Sequence, residues 1–112
     1  MDKEKFKVSV IDFMPFHKKI KVGEYEDKSP AYLGDCVSHN GEENWLISYR
    51  YGNIYIKQIG MMAMIGQEEF KVGDFSRVEK TNTFIAGNDW LIIGYKDEPM
   101  YQELESHGVQ FE

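Results

Sequence analysis

Along the first stretch of the chain, Phe6, Val8 and Val10 alternate with Lys7 and Ser9. That two-residue period belongs to a half-buried strand and predicts one over Phe6–Phe13. Pro15 interrupts it. His17–Tyr25 (HKKIKVGEY) then predicts a second strand, with Ile20 and Val22 on one face. Glu24 to Pro30 is polar and ends in proline, which predicts a loop. Ala31–Ser38 (AYLGDCVS) reads as a further strand, and His39 to Glu43 as its exit turn.

The strongest periodic signal is Trp45–Ile59, WLISYRYGNIYIKQI. Trp45, Ile47, Tyr49 and Tyr51 fall on one face, and Leu46, Ser48 and Arg50 on the other. Gly52-Asn53 fits a two-residue hairpin turn, whose central positions favour glycine and asparagine. This register sets Tyr51 against Ile54 and Tyr49 against Ile56, with Trp45, Ile47, Tyr49 and Ile56 facing the core. Further strands are predicted at Met61–Ile65 and Phe70–Val78, and a second hairpin over Thr83–Tyr95 turns near Gly87-Asn88-Asp89.

One helix is expected near the C-terminus. Asp97 is a good N-cap, Pro99 is tolerated in the first turn and Gly108 can end the helix. Met100 and Leu104 supply its apolar strip. The whole predicts a mainly β fold, a small antiparallel barrel or rolled sheet (an SH3-like barrel is one such form), with one short C-terminal helix. It reads as a single domain over 1–112: N-terminal strands in 1–28, barrel strands in 31–96 and the helix in 97–108.

Composition supports that picture. At 112 residues the chain is long enough for a modest core, and its 14 % aromatic content suits strands. The net charge of −6 is unevenly placed. Residues 1–28 hold seven lysines against six acids, whereas from Asp97 onward there are five acids and no Lys or Arg. A field of that sign disfavours nucleic acid and favours basic partners, although acidic surfaces also simply confer solubility. No apolar run reaches the roughly 18 residues of a membrane span, and the start lacks the features of a signal peptide. A cytoplasmic protein without a membrane partner is expected.

Candidate chemistry is sparse. His17, His39 and His107 occupy no spaced ligand motif, and the lone Cys36 sits in an apolar strand without a neighbour to lower its pKa. No glycine pattern for phosphates or dinucleotides occurs. No enzyme activity, cofactor or metal is therefore expected. Binding residues are sought instead among Tyr51, Tyr55 and Arg50, a cluster that could stack bases or grip a peptide, though ordinary core packing would explain it too. Met61, Met62 and Met64 form a second candidate, either a buried strand or an apolar patch for a partner or a second copy. Glu103 and Glu105 form a third, on the helix.

The order FKVSVIDF, HKKIKVGEY, YLGDCVSHNGEENWLISYRYGNIYI and WLIIGYKDEPMYQEL resembles the YopX-like family of phage and prophage proteins. Tyr32-Leu33-Gly34-Asp35-Cys36-Val37 stands where that family has a Gly-Asp strand, and Ile93-Gly94 followed by Pro99 and Leu104 where it has its closing motif. Tyr95 replaces the usual Asn, and the Thr-Gly-Leu-Lys-Asp-type segment is missing. The resemblance implies a phage-encoded β-barrel and carries over no catalytic residue. The expected function is a non-enzymatic protein-binding module, an accessory protein of a phage or mobile element acting on a host protein with a basic surface. A nucleic-acid-associated small barrel using Tyr51, Tyr55 and Arg50 is the alternative, followed by a small hydrolase with an unrecognised site.

Overall fold

The computed structural model describes residues 3–25, 27–39, 41–58, 64–66, 76–77 and 90–111. These are mainly strand. β1 spans Lys5–Ser9 and is followed by the single-turn helix α1, Val10–Phe13, and a 3-10 turn over Met14–Phe16. β2 (Lys21–Glu24) and β3 (Pro30–Tyr32) form a separate two-stranded sheet. β4 (Cys36–His39), β5 (Glu42–Arg50), β6 (Asn53–Gln58), β7 (Met64–Gly66), β8 (Ser76–Arg77) and β9 (Trp90–Tyr95) join β1 in the main sheet. The closing helix, α2, spans Pro99–His107.

β5 organises the main sheet. Along one edge it pairs with β6 from Trp45 to Arg50. Its other edge is shared. Residues 42–46 pair antiparallel with β4, and Tyr49 and Arg50 run parallel to Ile92 and Ile93 of β9. Between these stretches the Gly34 amide donates to the Ile47 carbonyl and the Ile47 amide to the Asp35 carbonyl. The sheet is thus mixed, with one parallel pairing among antiparallel ones, and the described strands do not close into a barrel.

The inner face carries the core. Phe6 and Val8 of β1, Ile47 and Tyr49 of β5, Ile56 of β6, and Leu91 and Ile92 of β9 are buried. Ile47 lies directly opposite Ile56, so Trp45, Ile47, Tyr49 and Ile56 share the core side as the alternation predicts. α2 closes this side through fully buried Leu104, with the Tyr101 and Phe111 rings 5.2 and 5.5 Å from Phe6. Phe6 pairs with Gly94, and a Cβ on Gly94 would come within 2.9 Å of its ring. A side chain there would force the core to move.

Several boundaries differ from the sequence reading. The first strand ends at Ser9 because the Ser9 hydroxyl accepts from the Asp12 amide, 3.2 Å away, and caps α1. Residues 31–38 form two strands, broken at Gly34, whose φ of +91° turns the chain. The hairpin turn is Tyr51-Gly52, one position earlier than expected, with φ of 47° and 88°. Both central positions of this turn type need positive φ. Arg50 therefore faces Asn53, Tyr49 faces Ile54 and Ile47 faces Ile56. The N-cap of α2 is Glu98 and not Asp97, and Gly108 ends the helix at φ +83° as expected. The predicted turn near Gly87 lies outside the described residues.

Candidate functional site

The outer face of the sheet follows from the same registers. Lys5 lies opposite Tyr95, and Lys7 opposite Ile93, which in turn neighbours Arg50 on β5. Ser48 opposite Tyr55 and Leu46 opposite Lys57 continue this face onto β6. It is open at one end only. Lys5, Lys7, Arg50 and Asn53 are exposed and Tyr51, Trp90, Ile93 and Tyr95 half-buried, whereas Leu46 and Ser48 are buried.

At the open end, cations are seated on rings. The Lys7 ammonium lies 5.1 Å from the centre of Trp90, Lys3 5.4 Å from Tyr95 and Lys5 6.0 Å from Tyr51, with the Arg50 guanidinium 5.8 Å from Tyr51. Tyr51 and Tyr95 pack together at 4.8 Å. The left-handed conformation of Tyr51 belongs to this arrangement: its amide donates to the Ile93 carbonyl at 2.8 Å, bringing the turn against β9. A cation over an aromatic face gains about 0.5–1 kcal/mol at an exposed site. Lys3 also pairs with Asp97 at 3.3 Å. Among the described residues no carboxylate lies within ion-pair distance of Lys5 or Lys7.

A second polar constellation is internal. Asp35 is 1 % exposed. Its carboxylate meets the His17 Nε2 at 2.6 Å and accepts from the Tyr25 hydroxyl at 2.7 Å and the Tyr32 amide at 3.0 Å. Burial alone would push this carboxyl up. The hydrogen bonds from His17, Tyr25 and the Tyr32 amide, with the charge of His17, outweigh that and hold it below 3.8. The preceding Gly34 combines positive φ with a Phe13 ring 3.2 Å from where a Cβ would stand. Asp35 thus ties the segment after α1, the β2–β3 pair and the entry to β4 around one buried charge. Among the described residues, no serine, threonine or cysteine is hydrogen-bonded to the His17 ring.

The residues predicted for binding separate. Arg50 and Tyr51 come together at the open end of the outer face, and Tyr55, half-buried, shares that face farther along. Glu103 and Glu105 are exposed on α2, which packs against the inner side. Met61 and Met62 lie outside the described residues, and Met64 is placed by its backbone alone, opposite Lys57 in β7. Cys36 is half-buried, its thiol donating to the Glu43 carbonyl at 3.2 Å. Sequence reasoning missed Lys5, Lys7, Trp90 and Tyr95. The polar half of the β1 alternation was the available signal for the lysines; nothing local linked them to rings more than 40 positions away.

Among the described residues no group of three or more His, Cys, Asp or Glu could hold a metal ion, and no helix is long and apolar enough to cross a membrane. Comparison with family models, curated proteins and solved structures returned no match.

Proposed function

We propose that this chain is a non-enzymatic protein-binding module that docks a partner on the open end of its outer sheet face. The observation that carries this is the set of cations from the N-terminal segment and from Arg50 seated over Trp90, Tyr51 and Tyr95. Long basic side chains ordinarily lose much rotamer freedom on binding. A cation already held over a ring has lost part of it beforehand, which lowers the cost of association. Arginine and aromatic residues are also the types that concentrate energy in protein interfaces. The exposed acids of α2 give the module a second surface on its other side, suited to basic groups. A role as a phage or mobile-element accessory protein acting on a host protein accords with the resemblance.

Nucleic-acid association is the second reading, favoured by Arg50 and Tyr51 lying on one cationic face. Two features weigh against it. The rings carry cations of the same chain, so they serve as seats more than as stacking platforms. The net charge of −6 also opposes a long polyanion. Capture from host lysate compares the wild type with a K7E/R50E variant whose circular dichroism is unchanged. A stoichiometric protein lost from the variant is the expected result. Equal capture by both proteins would remove the docking face, and a single-strand gel shift at moderate salt would favour the second reading.

A further inference from the structure

β9 is paired on both sides, with β1 from Trp90 to Tyr95 and with β5 at Ile92 and Ile93. A strand flanked in this way has few backbone groups left for an incoming chain, so a partner laid over its outer surface meets side chains. Ile93 stands there half-buried, with exposed Lys7 beside it on β1 and exposed Arg50 beside it on β5. The Lys7 ammonium leans over Trp90, at the start of β9. Lys5 and Arg50 lean over Tyr51, whose ring packs on Tyr95 at the end of β9. Half-buried Trp90, Ile93 and Tyr95 thus form an apolar strip along β9 with cations at both of its ends.

We infer that the partner presents an acidic amphipathic α-helix, laid along β9 with its apolar stripe on Trp90, Ile93 and Tyr95 and its carboxylates meeting Lys5, Lys7 and Arg50. This rests on the docking reading above and specifies the chemistry it takes. A helix satisfies its own backbone hydrogen bonds and offers a continuous stripe of side chains, which is what the outer surface of an interior strand can receive. From Trp90 to Tyr95 the strand runs roughly 16 Å, a length that a helix covers in about three turns. Cations at both ends of the strip set the sign of the charges that flank the stripe. The net charge of −6 opposes an acidic partner at long range. Salt screens that field beyond about 10 Å at 0.1 M, and the exposed acids of α2 lie on the other side of the sheet.

The test uses the full chain and fluorescently labelled peptides of about 18 residues, long enough to form a helix in water when rich in alanine. One carries leucines in a single helical stripe flanked by glutamates, one has the same composition with the stripe scrambled, and one has glutamine for every glutamate. Fluorescence anisotropy at low salt should show the striped acidic peptide binding about tenfold or more tightly than the other two. K5Q/K7Q should weaken it about tenfold, as expected for two surface ion pairs, and I93Q by a similar factor. Nuclear magnetic resonance of the wild type locates the contact without any substitution. The indole N–H of half-buried Trp90 should shift on binding, and that of Trp45 in the core should not. Equal binding of the striped and scrambled peptides overturns the helical mode, and a bound peptide that leaves Trp90 unshifted overturns the strip. Binding of no acidic peptide, alongside a lysate protein captured by the wild type and lost from K7E/R50E, overturns this inference and leaves the docking reading; without such a protein, both fall. Tighter binding of oligodeoxythymidylate than of any peptide overturns the proposed partner.

Discussion

Replacing Asp35 with alanine removes one buried carboxylate from the three donors that meet it. His17, the Tyr25 hydroxyl and the Tyr32 amide converge on it at 2.6 to 3.0 Å. A hydrogen bond to a charged group contributes about 1.5–3 kcal/mol, and a buried donor left without its partner costs about 1–3 kcal/mol. These terms overlap, since the half-exposed His17 can turn to water. A loss of about 3–5 kcal/mol follows, the range for breaking a buried charged pair. Urea unfolding followed by tryptophan fluorescence measures it, read only where the denaturant slope is unchanged. Tyr25→Phe deletes one bond and should cost about 1–2 kcal/mol. The acid limb supplies an independent check. The folded carboxyl is held below its ordinary 3.8, so the unfolded chain takes up the proton first. The contribution of Asp35 is full above the unfolded pKa and is lost as pH falls through the folded one. Asp35→Asn should flatten that part of the stability profile. A loss under about 1 kcal/mol for Asp35→Ala, with an unchanged slope, would refute the view that this charge braces the fold.

Three further outcomes are expected. Ile47→Ala and Ile56→Ala, at 1 % and 0 % exposure, should each cost about 2–5 kcal/mol in the same unfolding assay. In an ultraviolet pH titration of the folded protein, Tyr49 should ionise late. Burial first, and the Glu98 carboxylate beside it, push Tyr49 up from 10.0 to about 12, so Glu98→Gln should move that late transition to lower pH. The stabilisation from keeping Tyr49 neutral is complete below its unfolded pKa and fades as pH rises through about 12. Glu103→Lys with Glu105→Lys should slow association with a basic partner measured by stopped flow, and the slowing should shrink as salt rises.

Local patterning made the fold class and the core face of the hairpin legible. Trp45, Ile47 and Tyr49 alternate without interruption, and a two-residue turn at either position sets Ile54 and Ile56 on the same face as these residues. The register slipped because Gly52-Asn53 is the better turn pair on intrinsic grounds, while the chain places Tyr51 at positive φ to reach the Ile93 carbonyl. That bond lies far along the sequence, beyond any local rule. The same holds for the parallel run of β5 beside β9. The end of β1 was hidden by Val10 and Phe13, apolar enough to extend a strand; their burial is satisfied instead from the turn that Ser9 caps. As for the sites, Arg50 and Tyr51 were visible as a hairpin cluster. Asp35, His17 and Tyr25 come from three segments, and no single window brings them together.

The split edge of β5 bears on how the chain reaches its native state. Hairpin β5–β6 and its neighbour β4 join residues close in sequence, whereas β1 meets β9 from the opposite end of the chain. Closing that long loop costs little more in equilibrium free energy than closing a short one, but distant contacts slow the search for the folded state. The β4–β5–β6 meander should therefore be structured early, with the clasp of β1 on β9 forming last. Mutations at Ile47 or Ile56 would then chiefly slow folding, and those at Phe6 or Val8 chiefly speed unfolding. The strand that carries Lys5 and Lys7 would also be the first to release from the native protein.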